Sequence, residues 1–142
     1  MIDHELVLRK LLLVQQDLDA LAPYARKPLA EYLASATDEL VVERLLERCI
    51  GRLIDVNFHL LTESGRPPPA DYYASFIELG TLAAFDAELT RRVAACTGLR
   101  NRIAHEYDAV DPARVHAALG PALGDLPEWM RLVLTFLDRA SR

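Results

Sequence analysis

Apolar residues recur along the chain at helical spacing, in stripes separated by short punctuated connections, and no stretch alternates with period two. Leu8, Leu11, Leu12, Leu18 and Leu21 predict a first helix from an Asp3 N-cap to about Leu21, where Pro23 weakens the pattern. The run Leu11 to Val14 is wider than one face needs, so this helix is expected to be covered on two sides. Pro28 to Ala36 reads as a helical turn inside a connection, anchored by Tyr32 and Leu33. A second helix, capped by Thr37 or Asp38, carries Val41, Leu45, Cys49, Arg52, Val56 and Leu60 to about Thr62. Ile50, Leu53, Ile54 and Leu61 fill its adjacent stripe.

Ser64 to Pro69, with Gly65 and three consecutive prolines, is a loop. Asp71 then caps a short helix ending at Gly80, and a longer one runs from about Ala83 to Ala104. Gly98 inside it costs roughly 1 kcal/mol relative to alanine, which a close approach of another backbone would explain. Asp111-Pro112 has the order of N-cap and first helical residue. Gly120, Gly124 and Pro127 are expected to interrupt that segment, leaving a last piece from about Leu126 to Arg139 around Trp129, Val133, Phe136 and Leu137. The pattern adds up to one all-α domain over residues 1–142, an up-and-down bundle of about five helices.

Composition narrows the class. With 51% hydrophobic and 26% charged residues the chain is globular, and no apolar run is long enough to cross a membrane. Asp3 and Glu5 interrupt any secretory leader, so a cytoplasmic location is expected. Cys49 and Cys96 each lie inside an apolar helical pattern and read as reduced core residues rather than a disulfide or metal framework. The net charge of −5 argues against sequence-independent nucleic-acid binding. Its distribution softens that: Arg91, Arg92, Arg100 and Arg102 fall in a run without a single acid.

Candidate chemistry concentrates in Leu99-Arg100-Asn101-Arg102-Ile103-Ala104-His105-Glu106-Tyr107. On a regular helix Arg100, Ala104, Asn101 and His105 fall within an arc of about 140°, while Leu99 and Ile103 point elsewhere. A guanidinium binds phosphate bidentately, and an imidazole exchanges a proton near neutral pH. Neither a metal cluster nor a glycine loop accompanies them, so the set suits metal-independent phosphodiester cleavage by an RNA 2′-hydroxyl. On spacing alone the leading reading of His105 is a cation placed at a helix C-terminus. Two lesser candidates are the Asp55–His59 pair, four residues apart, and the aromatics Tyr72, Tyr73 and Phe76. The pair is either part of the site or an orienting contact; the aromatics either stack on bases or sit in the core.

Arg100, His105 and Tyr107 match the Arg-x(4–6)-His-x-Tyr motif, so the chain resembles the HEPN superfamily, and its flanks resemble the HepT-like branch. Ala104 stands where that branch usually has a larger aliphatic residue. The resemblance implies a two-fold dimer with facing motifs and a ribonuclease toxin in which Arg100, Asn101 and His105 are catalytic. It further implies an RNA substrate, no cofactor, and a minimal nucleotidyltransferase antitoxin that adenylylates Tyr107. Arg102 and Arg92 are candidate RNA contacts. The alternatives are a non-catalytic nucleotide- or substrate-binding companion of a nucleotidyltransferase, and a purely structural helical dimer.

Overall fold

The structure, a computed structural model, describes residues 1–141, and all regular elements among them are helical. They are α1 (His4–Ala25), the single-turn α2 (Leu29–Leu33), α3 (Ala36–Glu63), α4 (Tyr72–Ala83), α5 (Ala87–His105) and α6 (Pro112–Ala140), with a 3-10 turn at Tyr107–Ala109. Each long helix starts on a side-chain cap. Asp3 accepts from the Leu6 N–H, Asp71 from Ala74, Asp86 from Leu89 and Asp111 from Ala113, satisfying donors that the first turn leaves open. α3 begins two residues before the expected caps, on Ser35, whose hydroxyl accepts from Asp38 N at 3.1 Å.

Helix ends were harder to place from the pattern. α1 continues through Pro23 to Ala25. α4 passes Gly80 and stops on Ala84, held in the left-handed region at φ 56°. The largest departure is α6, which is one helix of 29 residues despite Pro121, Pro127 and the two glycines expected to break it. Its buried residues Val115, Leu119, Ala122, Leu126, Trp129, Met130, Val133 and Leu137 keep helical spacing straight through the breakers. Burial of that continuous face outweighs the missing proline donors.

α1 and α3 are antiparallel, fixed by ion pairs from Lys10 to Asp55 and from Arg48 and Arg52 to Asp17. α4 runs beside α3 in the same sense, because the 64–71 connection doubles back: Tyr72 shares a cleft with Ile54 and Asp55, while Ile77 and Thr81 share one with Leu61. α5 and α6 then alternate, and α6 returns along α1 so that Ser141 contacts His4. Trp129, fully buried, sits between Phe76 and Phe85 at 5.3 and 5.0 Å. α1 buries Val7, Leu11, Val14, Leu18 and Leu21 but leaves Leu8 and Leu12 exposed, so only part of its wide stripe is covered. No helix among the described residues is long and apolar enough to cross a membrane.

Candidate functional site

α5 delivers the central stretch. Ile103 points into the core, Leu99 packs against it, and Arg100, Asn101, Ala104 and His105 emerge on the other side, as the periodicity requires. His105 is the last helical residue; the Glu106 N–H still donates to the Arg102 carbonyl at 2.8 Å before the chain leaves the helix. A cationic side chain there is favoured by the helix dipole.

The 140° arc is wide enough to be divided, and Tyr72, the first residue of α4, divides it. On one side Arg100 and Tyr72 line a cleft of about 270 Å³ against α3. On the other, Asn101, His105 and Tyr72 line a shallower cleft of about 450 Å³ with Ala70, Asp71 and Glu106. The Arg100 guanidinium stands 5.1 Å from the Tyr72 ring centroid, and its Nη1 donates to Asn101 Oδ1 at 3.3 Å. Its Nε is buried without a partner. Arg100 and Asn101 are thereby linked across the ridge, while the exposed His105 stands in the second cleft.

Other sequence candidates lie elsewhere. Arg102 faces a separate cleft beside Ala109, Val110 and Arg114. Arg92 is tied bidentately to Asp125 of α6 at 3.0 and 3.2 Å. Tyr107 sits in the 3-10 turn, 71% exposed, at the point where the helix has loosened, and it does not line the His105 cleft. Asp55 and His59 do not engage each other: Asp55 binds Lys10, and His59 Nε2 accepts from the Asp3 N–H at 2.8 Å. Of the aromatics, Phe76 is core, Tyr73 is exposed and Tyr72 is half-exposed over Arg100.

Sequence reasoning overlooked the α3 contribution. Arg44, Arg48 and Arg52, spaced four apart, all line the Arg100 cleft; that spacing is visible in the sequence, but Arg52 also falls on the stripe of Val41, Leu45, Cys49 and Val56. Arg48 and Arg52 share the buried carboxylate of Asp17 at 2.6 and 2.9 Å, which holds their guanidiniums at the wall of the cleft they line. No three His, Cys, Asp or Glu side chains among the described residues come together as a metal site.

A family described as "Ribonuclease HepT-like" matches residues 14–133. The chain belongs to the HepT-like family. It is 35% identical over 128 residues to a tRNA nuclease HepT of Aphanizomenon flos-aquae, covering 90% of this chain and 87% of that protein. Its fold is that of a Shewanella oneidensis HEPN toxin solved, tri-AMPylated, in complex with an MNT antitoxin. That match has a TM-score of 0.84 at 17% identity, over 94% of this chain and 99% of the other. A toxin–antitoxin structure with AMP-PNP gives the same TM-score over 93% and 99%. The HepT-like segment ends at Val133, so it takes in α5, the Tyr107 turn and most of α6.

Proposed function

We propose that this HepT-like chain is a metal-independent RNA endonuclease, the toxin of a pair with a minimal nucleotidyltransferase. One observation carries the reading: a guanidinium, an amide and an imidazole stand together at the end of α5, on the two flanks of Tyr72. Family membership and the tRNA nuclease relative support it.

In this mechanism Arg100 holds and neutralises the scissile phosphate, its guanidinium aimed by Tyr72 and Asn101. His105 takes the proton of the attacking 2′-hydroxyl or returns one to the leaving 5′-oxygen. One imidazole cannot do both at once, so two copies across a two-fold axis share the duties; the homodimer belongs to this proposal. Tyr107 is the modification site. Its exposure in the turn after α5 suits attack of the phenol, with loss of its proton, on the α-phosphate of ATP, which releases pyrophosphate, and the resulting ester places negative charge beside the anion site.

The deciding experiment is RNA cleavage by His105→Ala. A loss of about 10²- to 10⁴-fold, unchanged by chelator, with helical content intact, is expected. Undiminished cleavage by the variant, or RNA binding without cleavage by the wild type, would transfer the site to the non-catalytic reading. Intact-mass measurement after incubation with an MNT-type nucleotidyltransferase and ATP should show adenylyl groups on the wild type and none on Tyr107→Phe.

A further inference from the structure

The His105 cleft has a poor charge for its proposed task. Asp71 and Glu106 line it beside the histidine, so an RNA backbone meets carboxylates there. Across Tyr72 the balance reverses. Four guanidiniums, Arg44, Arg48, Arg52 and Arg100, line the neighbouring cleft against Glu47 and Asp55, and Asp55 is already neutralised by Lys10. Asp17 lies beneath the cleft rather than in it: 3% exposed, it holds Arg48 and Arg52 from behind. Arg44 is the least engaged of the four, 66% exposed and 3.8 Å from Glu47. The Arg100 Nε is buried without a partner. A guanidinium row four residues apart along a helix presents fixed, bidentate donors to successive anions.

We propose that this α3 arginine cleft is a second RNA-backbone subsite, joined at Arg100 to the bond-breaking site across Tyr72. In it Arg44, Arg48 and Arg52 hold a phosphate neighbouring the scissile one, and Tyr72 is the ridge over which the strand crosses. It rests on the nuclease reading above for the identity of the anion. The ridge has the chemistry for that crossing: one face of Tyr72 is taken by Arg100, and the ring remains 39% exposed for a base to stack on. The division explains how a chain of net charge −5 binds RNA at all: attraction is concentrated on one side of Tyr72 and proton transfer on the other.

The test uses the full chain carrying His105→Ala, so that substrate survives, and a fluorescent unstructured single-stranded RNA titrated by anisotropy at several salt concentrations. Arg44→Gln is the primary variant, because Arg48 and Arg52 substitutions would also unpair Asp17. It should weaken binding about 3- to 10-fold and reduce the salt slope by about 0.7, the loss of one single-strand phosphate contact. Tyr72→Leu should weaken binding with the slope unchanged, as stacking requires. Arg91→Gln, an exposed α5 arginine outside both clefts, removes the same net charge and should change neither quantity. If Arg44→Gln behaves like Arg91→Gln while the wild type still cleaves RNA, the subsite is wrong and the nuclease reading stands. If the binding signatures appear but the wild type cleaves nothing, the subsite stands and the nuclease reading falls. A drop in oligomeric mass on Arg44→Gln would make the cleft an interface between copies and overturn the proposal.

Discussion

Arg100 lies over Tyr72 and holds Asn101, and the proposed mechanism adds a third geometric demand, a grip on phosphate. A planar fork satisfies all three, and an ammonium satisfies only the charge. Arg100→Lys should therefore lower kcat/KM about 10- to 100-fold while changing thermal stability little, as measured by RNA cleavage alongside thermal denaturation. Asp17 is a different case, since it supports the cleft without touching it. Asp17→Ala strands two guanidiniums beside a cavity and should cost about 2–4 kcal/mol in urea denaturation, the lower end reflecting the arginines' partial exposure. Cys49 is buried and Cys96 partly buried against the core. Burial pushes the Cys49 thiol up to about 12 and Cys96 to about 11, from an ordinary value near 9. At pH 8 both remain protonated, so a disulfide reagent should react slowly with the native chain and fully after unfolding. The unfolded state ionises first as pH rises past 9, so these thiols make stability fall with pH from there towards 11 and 12.

At the scale of elements, two helix ends illustrate how local chemistry and packing divide the work. α3 stops in a Schellman arrangement: Arg66 N–H donates to the Leu61 carbonyl and Gly65 N–H to Thr62, with Gly65 at φ 83°. α4 stops in the same arrangement, Phe85 to Gly80 and Ala84 to Thr81, but with alanine in the left-handed position. Ala84→Gly relieves that strain and should stabilise the chain by about 0.5–1 kcal/mol, read as a modest rise in Tm. Gly80 has the opposite requirement. A Cβ there would stand 2.6 Å from Thr90 Cγ2 and 2.7 Å from its Oγ1, and that hydroxyl is held by the Asp86 carbonyl. Gly80→Ala should destabilise by about 1–3 kcal/mol in chemical denaturation, because α4 and α5 cannot part without disturbing the seat of Tyr72 and Arg100. Gly98, which the sequence marked for a close approach, has open space where its Cβ would stand, so nothing within this chain requires glycine there.

At the scale of the whole molecule, the bundle turns a sequence motif into a divided surface. The doubled-back 64–71 connection sets α4 parallel to α3, and this puts Tyr72 between Arg100 and His105. If two copies share acid and base duties, assembly and catalysis rise and fall together. The expected mass in solution is twice the 15.9 kDa of one chain, and activity per mole should decline on dilution in step with that mass. A fully active species at single-chain mass by light scattering would remove the shared-site mechanism and leave each cleft to work alone.

The sequence by itself determined the helical class, most of the capped starts and the α5 residues of the candidate site, because these are short-range properties. An aspartate before an apolar stripe caps it, and Arg100 to His105 share one helix whatever else the chain does. Tertiary structure decided what depends on distant partners. It kept α6 whole across Pro121 and Pro127, since a continuous buried face is worth more than the lost donors. Arg92 went to Asp125, and Asp55 and His59 went to two different parts of α1 and its cap. It also set Tyr72 on Arg100 and brought Arg44, Arg48 and Arg52 beside them, some fifty residues away along the chain. Periodicity reports which face of a helix is dry; only packing says which side chain will stand across from it.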